Sequence, residues 1–136
     1  MSEASAIRAA RPDEAEVLSA LARASKASWG YDQHFMRACR AELTVTRADI
    51  LAHPTRIFER NGQPVAFHQL RLEGDRAEVW LFFVAPAWLG HGIGRALWQD
   101  LERCAVAAGA KRVEVDADPH AEGFYRAMGM TRIGCV

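Results

Sequence analysis

Three consecutive β-strands joined by tight turns constrain the fold of this chain more than any other feature of its sequence. The apolar or alternating segments that predict these strands cover residues 55–60, 64–73 and 76–85. Their connections read NGQ and GD, and turns this short join antiparallel neighbours. Residues 79–84 are apolar on both faces, which places the third strand inside the sheet.

Helices flank this antiparallel meander. Apolar residues at helical spacing predict helices over residues 11–25, 32–43 and 47–53, from a glycine segment to about Ala108, and over residues 118–129. Val17, Leu18 and Leu21 share one face of the first helix, and Asp118 is a suitable N-cap for the last.

Further strands are predicted over residues 5–10, 111–117 and 130–136. The strand over 111–117 follows a helix, so it must lie parallel to the strand before that helix. The order of elements therefore predicts one α/β (α+β) domain. Its sheet is mainly antiparallel, with one parallel strand pair and flanking helices.

The composition argues against several classes of partner. The 136 residues carry 17 basic and 17 acidic side chains, whereas a nucleic-acid-binding domain usually has a basic excess. No apolar run approaches the roughly 20 residues that span a bilayer, and the first residues lack the apolar segment of a signal peptide. We therefore expect a cytoplasmic protein with no membrane partner. Cys39, Cys104 and Cys135 are too widely separated for a disulfide framework or a metal site.

Three glycines at alternate positions precede the fourth predicted helix, in the segment WLGHGIGRALWQ. Gly90, Gly92 and Gly94 would let the backbone approach a ligand closely. The unpaired N–H groups at a helix N-terminus bind anions, phosphate above all, and Arg95 adds a positive charge. The alternative is a turn that only connects a strand to a helix.

Two common phosphate motifs do not fit these glycines. A P-loop requires Gly-Lys-Ser/Thr, whereas Gly94 is followed by Arg95 and Ala96. A dinucleotide fingerprint would place Gly or Ala at Leu97, and its fold begins with this βα unit and continues through several more. Here three antiparallel strands come first, and only twenty residues follow Asp116.

Two segments together resemble the GNAT N-acetyltransferase superfamily. LFFVAPAWLGHGIGRAL carries the acetyl-CoA motif Q/R-x-x-G-x-G/A, and ADPHAEGFYRAMGM carries a C-terminal motif in which Tyr125 precedes Gly129 and Met130. The upstream SKASWGYDQHFM is similar to a subgroup of small members with undefined substrates. The resemblance covers nearly the whole chain and implies that the parallel strand pair splays apart.

The resemblance implies acetyl-CoA as the cofactor. Its pyrophosphate would lie on the glycine loop, and its pantetheine arm would pair with the third strand of the meander. The implied cofactor-binding residues are Phe82, Phe83, Val84, Leu89, Gly90, His91, Gly92, Ile93, Gly94, Arg95, His120 and Tyr125. Leu89 occupies the Q/R position of the motif, so backbone N–H groups with Arg95 and His91 would hold the phosphates. His120 stands where many members have Asn.

Catalytic roles are implied in the same way. Tyr125 matches the tyrosine that protonates the departing thiolate in many members, and a phenol stays protonated at neutral pH. A backbone N–H near Val84 would polarise the thioester carbonyl. Trp80 occupies the position of the glutamate that is the base in several members. Glu78 and His68 are the candidate bases, and each could equally be a structural residue.

The acceptor is expected to be a small-molecule or peptide amine. In the family the first helices shape the acceptor pocket, which here points to Trp29, Tyr31 and His34, although aromatic residues there could also belong to the core. Asp32 or Glu42 could attract a cation. The function predicted is direct acetyl transfer to an amine, and the alternative is a non-catalytic acyl-CoA-binding or sensing module.

Family members usually carry one more strand after the GM-x-R-I-G segment. Two explanations of its absence are open: a homodimer in which a partner completes the sheet, or a truncated sequence. An unpaired sheet edge favours association of this kind.

Overall fold

The computed structural model describes residues 5–131, which contain five strands and five α-helices. The strands are β1 Ser5–Ala9, β2 Thr55–Arg60, β3 Gln63–Glu73, β4 Arg76–Val84 and β5 Arg112–Val115. The helices are α1 Ala15–Ala27, α2 Gln33–Ala38, α3 Arg47–Ala52, α4 Ile93–Ala107 and α5 Glu122–Ala127, with 3₁₀ turns at Pro12–Glu14 and Pro86–Trp88. Within this part of the chain, no helix has the length and apolar character needed to cross a membrane.

The five strands form one sheet in the order β1-β2-β3-β4-β5. Every neighbouring pair is antiparallel except β4 and β5, which are parallel and connected by α4. This confirms the predicted mixed sheet with its single parallel pair. The strand predicted over residues 130–136 lies, beyond Thr131, outside the described residues.

Helices cover both faces of the sheet. On one face, α1 and α3 bury Leu18 and Ile50 against Ile57, Phe67 and Leu81 of the strands. On the other face, α4 and α5 enclose a second core; its buried members include Leu70, Val79, Leu97, Trp98, Leu101 and Tyr125. The result is a three-layer arrangement with the sheet in the middle.

Several predicted details are wrong at the level of single residues. Val17 is 49% exposed, because the buried stripe of α1 runs through Leu18, Leu21 and Ala22 and Val17 lies beside it. The second predicted helix ends at Ala38 rather than near residue 43.

Asp118 does not cap α5, whose N-cap residue is Ala121. The carboxylate of Asp118 is instead occupied by side chains that lie far away in the sequence. Lys26 Nζ lies 2.9 Å from it, and the hydroxyl of Tyr31 donates to it at 3.0 Å. The His120 backbone N–H also donates to it, at 2.9 Å. This Asp118 cluster ties the end of α1 to the segment between β5 and α5.

Strand β4 has a β-bulge at Trp80. Leu81 is opposite Gln69 and Val79 is opposite Leu70, so Trp80 has no partner on β3. The additional residue breaks the alternation of faces. Val79 therefore packs under α4, whereas Leu81 packs under α1.

A buried ionic network fixes α4 to the sheet. Asp100 accepts from Arg56 at 3.1 and 3.2 Å and from Nε2 of His68 at 2.9 Å. Burial disfavours the charged carboxylate, but the hydrogen bonds from His68 and Arg56 outweigh this and hold the pKa of Asp100 well below its usual range. Burial lowers the pKa of His68, so the imidazole is neutral at pH 7 and donates through Nε2–H.

Replacing Asp100 by Asn should destabilise the protein. The exchange leaves the Arg56 guanidinium without a counter-ion beside a sheet surface, and breaking a buried ion pair costs about 3–5 kcal/mol. Because Arg56 is partly exposed, we expect a loss of stability at or just below the lower end of that range, about 2–3 kcal/mol. Urea unfolding measures this loss in the free energy of unfolding. The matched control is Glu102→Gln on the exposed side of α4. Equal stability of the two variants would contradict the role of the network.

The contribution of Asp118 to stability should depend on pH. Burial opposes its ionisation, but hydrogen bonds from the His120 backbone, Lys26, the His120 ring and Tyr31 lower its pKa to about 2. A carboxyl group depressed in this way stabilises the folded state above its unfolded pKa near 4, and the contribution is lost as pH falls through about 2.

The wild-type protein should therefore exceed Asp118→Asn in free energy of unfolding by about 1–3 kcal/mol at pH 7. The difference should shrink between pH 4 and pH 2, because protonation then removes the same charge from the wild type. Urea unfolding at pH 7, 4 and 2 measures this. A difference that persists undiminished at pH 2 would exclude the charge as its source.

Candidate active site

The central cavity opens where β4 and β5 separate. The two strands pair from Arg76 opposite Arg112 to Val79 opposite Val115 and no further. Beyond this point a cavity of about 290 Å³ lies between them. Its lining comprises Lys26, Trp29, Glu42, Leu43, Val79, Trp80, Leu81, Phe82, Phe83, Val115, Asp116, Ala117, Asp118, Ala121 and Tyr125.

The edge of β4 that faces this cavity is free to bind a ligand. The strand continues to Val84, five residues past its last pairing with β5 at Val79. Main-chain groups on that side have no β5 partner, and such groups require hydrogen bonds from water or ligand. An extended ligand containing amide groups could pair with them as a strand would.

The glycine loop presents a second set of main-chain donors. Gly90 and Gly92 adopt φ values of +79° and +78°, which favour glycine. The first α-helical bond of α4 runs from Ala96 N–H to the Gly92 carbonyl, so the N–H groups before Ala96 are available for an anion. Arg95 is exposed beside them, and Leu89, which is 54% exposed, cannot donate a side-chain hydrogen bond.

Gly94 serves packing rather than conformation. It lies within α4, and a Cβ atom built on it would lie 3.1 Å from Cε1 of Phe124. The beginning of α4 is therefore in close contact with α5, which follows the cavity. The three glycines of the loop have two physical roles, positive φ at Gly90 and Gly92 and close helix approach at Gly94.

Tyr125 brings a hydroxyl group to the cavity from α5. Its ring packs among Phe82, Trp98 and Phe124, with centroid distances of 6.1, 5.8 and 5.4 Å respectively. The side chain is 7% exposed, and its burial raises the pKa well above the usual value near 10. The phenol is therefore protonated at neutral pH and can act as a hydrogen-bond donor.

The residues predicted to bind the cofactor have separate locations. Phe82, Phe83 and Tyr125 line the cavity. Val84 is not part of the lining, and its side chain packs in the core at the beginning of α4. The ring of His91 is exposed and turns back to the carbonyl of Leu89, at 3.0 Å.

Of the three residues predicted for the acceptor pocket, Trp29 and Tyr31 lie together around His120, and His34 lies apart. Trp29 lines the cavity and stacks on the ring of His120, at a centroid distance of 5.4 Å. Tyr31 belongs to the Asp118 cluster, where its hydroxyl also contacts His120 Nδ1 at 3.0 Å. His34 is exposed on α2 and is not among the cavity residues.

The two candidate bases lie outside the cavity lining. His68 is fully buried under α4 and bonded to Asp100. Glu78 is on β4 before the bulge, with a carboxylate oxygen 4.0 Å from Arg76. Trp80 is two positions after Glu78 and lines the cavity, whereas Glu78 does not. The bulge at Trp80 breaks the alternation that would otherwise place both side chains on one face.

Sequence reasoning missed the cavity residues Lys26, Asp116 and Asp118 as contributors to the site. A usable signal was present for the two aspartates, since both follow the carboxyl end of a parallel strand. Ligands in open α/β sheets bind outside such strand ends. Lys26 has no comparable signal, because its partner Asp118 is 92 residues away.

One group of residues has the atom types of a metal site. Ligand atoms of His68, Asp100 and Cys104 lie within 4.8 Å of one another. Both carboxylate oxygens of Asp100 already accept from Arg56 and His68. The group is therefore accounted for as the ionic network that fixes α4 to the sheet.

The chain is similar in sequence to known acetyltransferases. The profile of the family described as "Acetyltransferase (GNAT) family" matches residues 18–130. The chain is also similar to "Serotonin N-acetyltransferase 2, chloroplastic" of Oryza sativa subsp. japonica, with 38% identity over 71 residues. The matched segment is 50% of this chain and 34% of that protein, so the chain spans only about a third of this relative.

Solved structures show the same fold. The PaiA N-acetyltransferase from Thermoplasma acidophilum, in complex with coenzyme A, has a TM-score of 0.80 and 15% identity, over 92% of this chain and 88% of that chain. A GCN5-related N-acetyltransferase from Ralstonia eutropha JMP134 has a TM-score of 0.81 and 19% identity, over 98% and 96%.

A further structure, a GCN5-related N-acetyltransferase from Rhodopseudomonas palustris, is 27% identical with a TM-score of 0.73, over 94% of this chain and 82% of that chain. These similarities agree with the mixed sheet and flanking helices described above. With the family profile covering most of its length, this chain belongs to the acetyltransferase (GNAT) family.

Proposed function

We propose that this protein is an acetyl-CoA-dependent N-acetyltransferase that transfers the acetyl group directly to an amine. One observation carries the proposal: β4 and β5 separate beyond Val79 and Val115, and Tyr125 lines the cavity that opens between them. Acetyl-CoA, when bound, supplies a thioester whose acetyl group an amine can take. Coenzyme A and acetyl-CoA are present in two structures of similar fold.

The residues present fit a ligand with a pyrophosphate and an amide-containing arm. The free N–H groups at the N-terminus of α4 would hold the phosphates, with Arg95 adding charge. Because Leu89 carries no polar group, this binding would depend on the backbone. The free edge of β4 would hold the arm, and each hydrogen bond contributes about 1 kcal/mol.

Tyr125 would donate its phenolic proton to the leaving sulfur. In the overall reaction the amine nitrogen forms a bond to the acetyl carbon as the carbon–sulfur bond breaks. Nitrogen loses one proton and sulfur gains one, so the exchange is balanced once solvent restores the proton of Tyr125. The apolar rings around Tyr125 favour this role, since they keep the hydroxyl protonated and exclude water.

The proton lost by the amine needs an acceptor on the cavity wall. Glu42 and Asp116 are cavity carboxylates for which the described residues provide no ion pair. Asp118 is a poor base, because its hydrogen bonds lower its pKa to about 2. We assign the proton-accepting side of the cavity to Glu42 and Asp116, acting directly or through water.

A non-catalytic acyl-CoA-binding module is the second candidate. It is favoured by Leu89 at the first motif position and by Trp80 where several relatives have a glutamate. Thiol release from acetyl-CoA with a panel of amines, measured beside calorimetric binding of coenzyme A, separates the two. Binding without thiol release from any amine would support the sensing module, and absence of binding would exclude both.

Replacing Tyr125 by Phe should reduce turnover without weakening cofactor binding. The hydroxyl makes no hydrogen bond within the described residues, so the variant should fold normally. Loss of a general acid lowers kcat by about 100-fold or more. The Kd of coenzyme A should stay within about twofold. An unchanged kcat would exclude Tyr125 as the acid.

Replacing Gly92 by Ala should weaken coenzyme A binding. An alanine in this left-handed conformation costs about 1–2 kcal/mol, and the loop relieves the strain by moving its N–H groups. The Kd should therefore rise about tenfold.

The matched control for Gly92 is Gly109→Ala at the other end of α4. Gly109 has φ +83°, close to +78° at Gly92, so both variants should lose similar stability. Only the variant in the loop should bind coenzyme A more weakly by calorimetry. Equal affinity in the two variants would show that the loop does not hold the cofactor.

A further inference from the structure

The cavity has an unbalanced negative charge. Its lining includes four charged side chains: Lys26, Glu42, Asp116 and Asp118. Lys26 and Asp118 neutralise each other at 2.9 Å, and their side chains are only 16% and 13% exposed. Glu42 and Asp116 have no ion pair within residues 5–131. Two carboxylates therefore face the cavity without a counter-ion from the described chain.

Lys26 is not available to bind an anionic acceptor. Besides Asp118, its ammonium group lies over the rings of Trp29, Tyr31 and Phe35, at 5.7, 5.7 and 5.9 Å from their centroids. A cation enclosed by one carboxylate and three aromatic faces already has its electrostatic partners. An acceptor carrying a carboxylate would thus meet two negative charges and no free positive one.

The walls on the α1 side of the cavity are apolar and partly aromatic. Trp80 extends from the bulge of β4 and is 50% exposed, with the Arg71 guanidinium 4.4 Å from its ring centroid. Phe83 is backed by Phe67, at a centroid distance of 6.1 Å. Arg71 covers one face of Trp80 and His120 covers one face of Trp29. The remaining aromatic surface of these rings and of Phe83 would suit a ring-bearing acceptor better than a sugar.

We propose that the acceptor is a primary amine carried on an aromatic group and lacking a carboxylate, held by Glu42 and Asp116 at its ammonium end. This inference rests on the proposed function and specifies its acceptor. The positive charge of the ammonium group complements the two unpaired carboxylates. The aromatic ring of the acceptor lies against Trp29 and Trp80. An amino acid with the same side chain is rejected because its carboxylate enters a negatively charged cavity.

Matched pairs of amines test the charge requirement. The comparisons are 2-phenylethylamine with phenylalanine and tryptamine with tryptophan, each assayed for thiol release from acetyl-CoA. The amine without a carboxylate should have a kcat/KM about tenfold or more higher in each pair. Equal values within the pairs, or a preference for the amino acids, would overturn the proposal. Butylamine tests whether the acceptor needs an aromatic ring. Equal kcat/KM for butylamine and 2-phenylethylamine would overturn the proposal that the amine is carried on an aromatic group.

Variants of the two carboxylates test the assignment of residues. Glu42→Gln and Asp116→Asn should each lower kcat/KM for 2-phenylethylamine several-fold and reduce its preference over phenylalanine. Glu16→Gln, an exposed carboxylate of α1 outside the cavity, is the matched control. Both cavity carboxylates are exposed, so these exchanges should leave the fold intact. An unchanged preference in both variants would exclude Glu42 and Asp116.

A binding measurement separates failure of this inference from failure of the proposed function. If no amine releases thiol, acetyl transfer is excluded, and 2-phenylethylamine is titrated calorimetrically into protein saturated with coenzyme A. Binding that weakens in Glu42→Gln and is absent for phenylalanine would support the acceptor class. No binding of 2-phenylethylamine, or equal binding of phenylalanine, would overturn it whether or not the protein is an enzyme.

Discussion

The short parallel pairing between β4 and β5 is the constraint on which the rest of the molecule depends. A parallel pair needs a crossover, and α4 provides it. The crossover returns the chain so that both strands point in one direction and end at the same side of the sheet. Because pairing stops at Val79 and Val115, β4 continues alone past the gap. The cavity, the free strand edge and the N-terminus of α4 all follow from this arrangement.

The two helical layers contribute different parts of the cavity. Through α4 and α5, one layer supplies the glycine loop and Tyr125, which are the parts suited to a phosphate-bearing thioester. The other layer supplies Lys26 and Trp29 at the end of α1. The bulge at Trp80 lets Val79 and Leu81, which are two positions apart on β4, pack against opposite layers. The Asp118 cluster then ties the layers together at the far end of β5.

Local patterns in the sequence were sufficient to predict the helices and strands but not the contacts between them. The meander follows from periodicity and turn residues, and the parallel pair follows from the helix before β5. The glycine loop and Tyr125 could be located from motifs, because each motif is a short continuous stretch of the sequence. The bulge at Trp80 could not be predicted from a motif, because packing on both faces of the sheet decides a shift of one residue. Similarly, nothing near Asp118 indicates that its partner is Lys26.

Because Gly94 contacts Phe124, the glycine loop and the beginning of α5 have to change together in evolution. A methyl group at position 94 would lie 3.1 Å from Cε1 of Phe124, so the ring would have to move by a few tenths of an ångström to accept it. The sizes of the residues at positions 94 and 124 therefore depend on each other. A lineage that acquires alanine in the loop must accept a smaller or displaced ring on α5. A change in the glycine loop would consequently call for a second change beside Tyr125, in a segment 30 residues further along the chain.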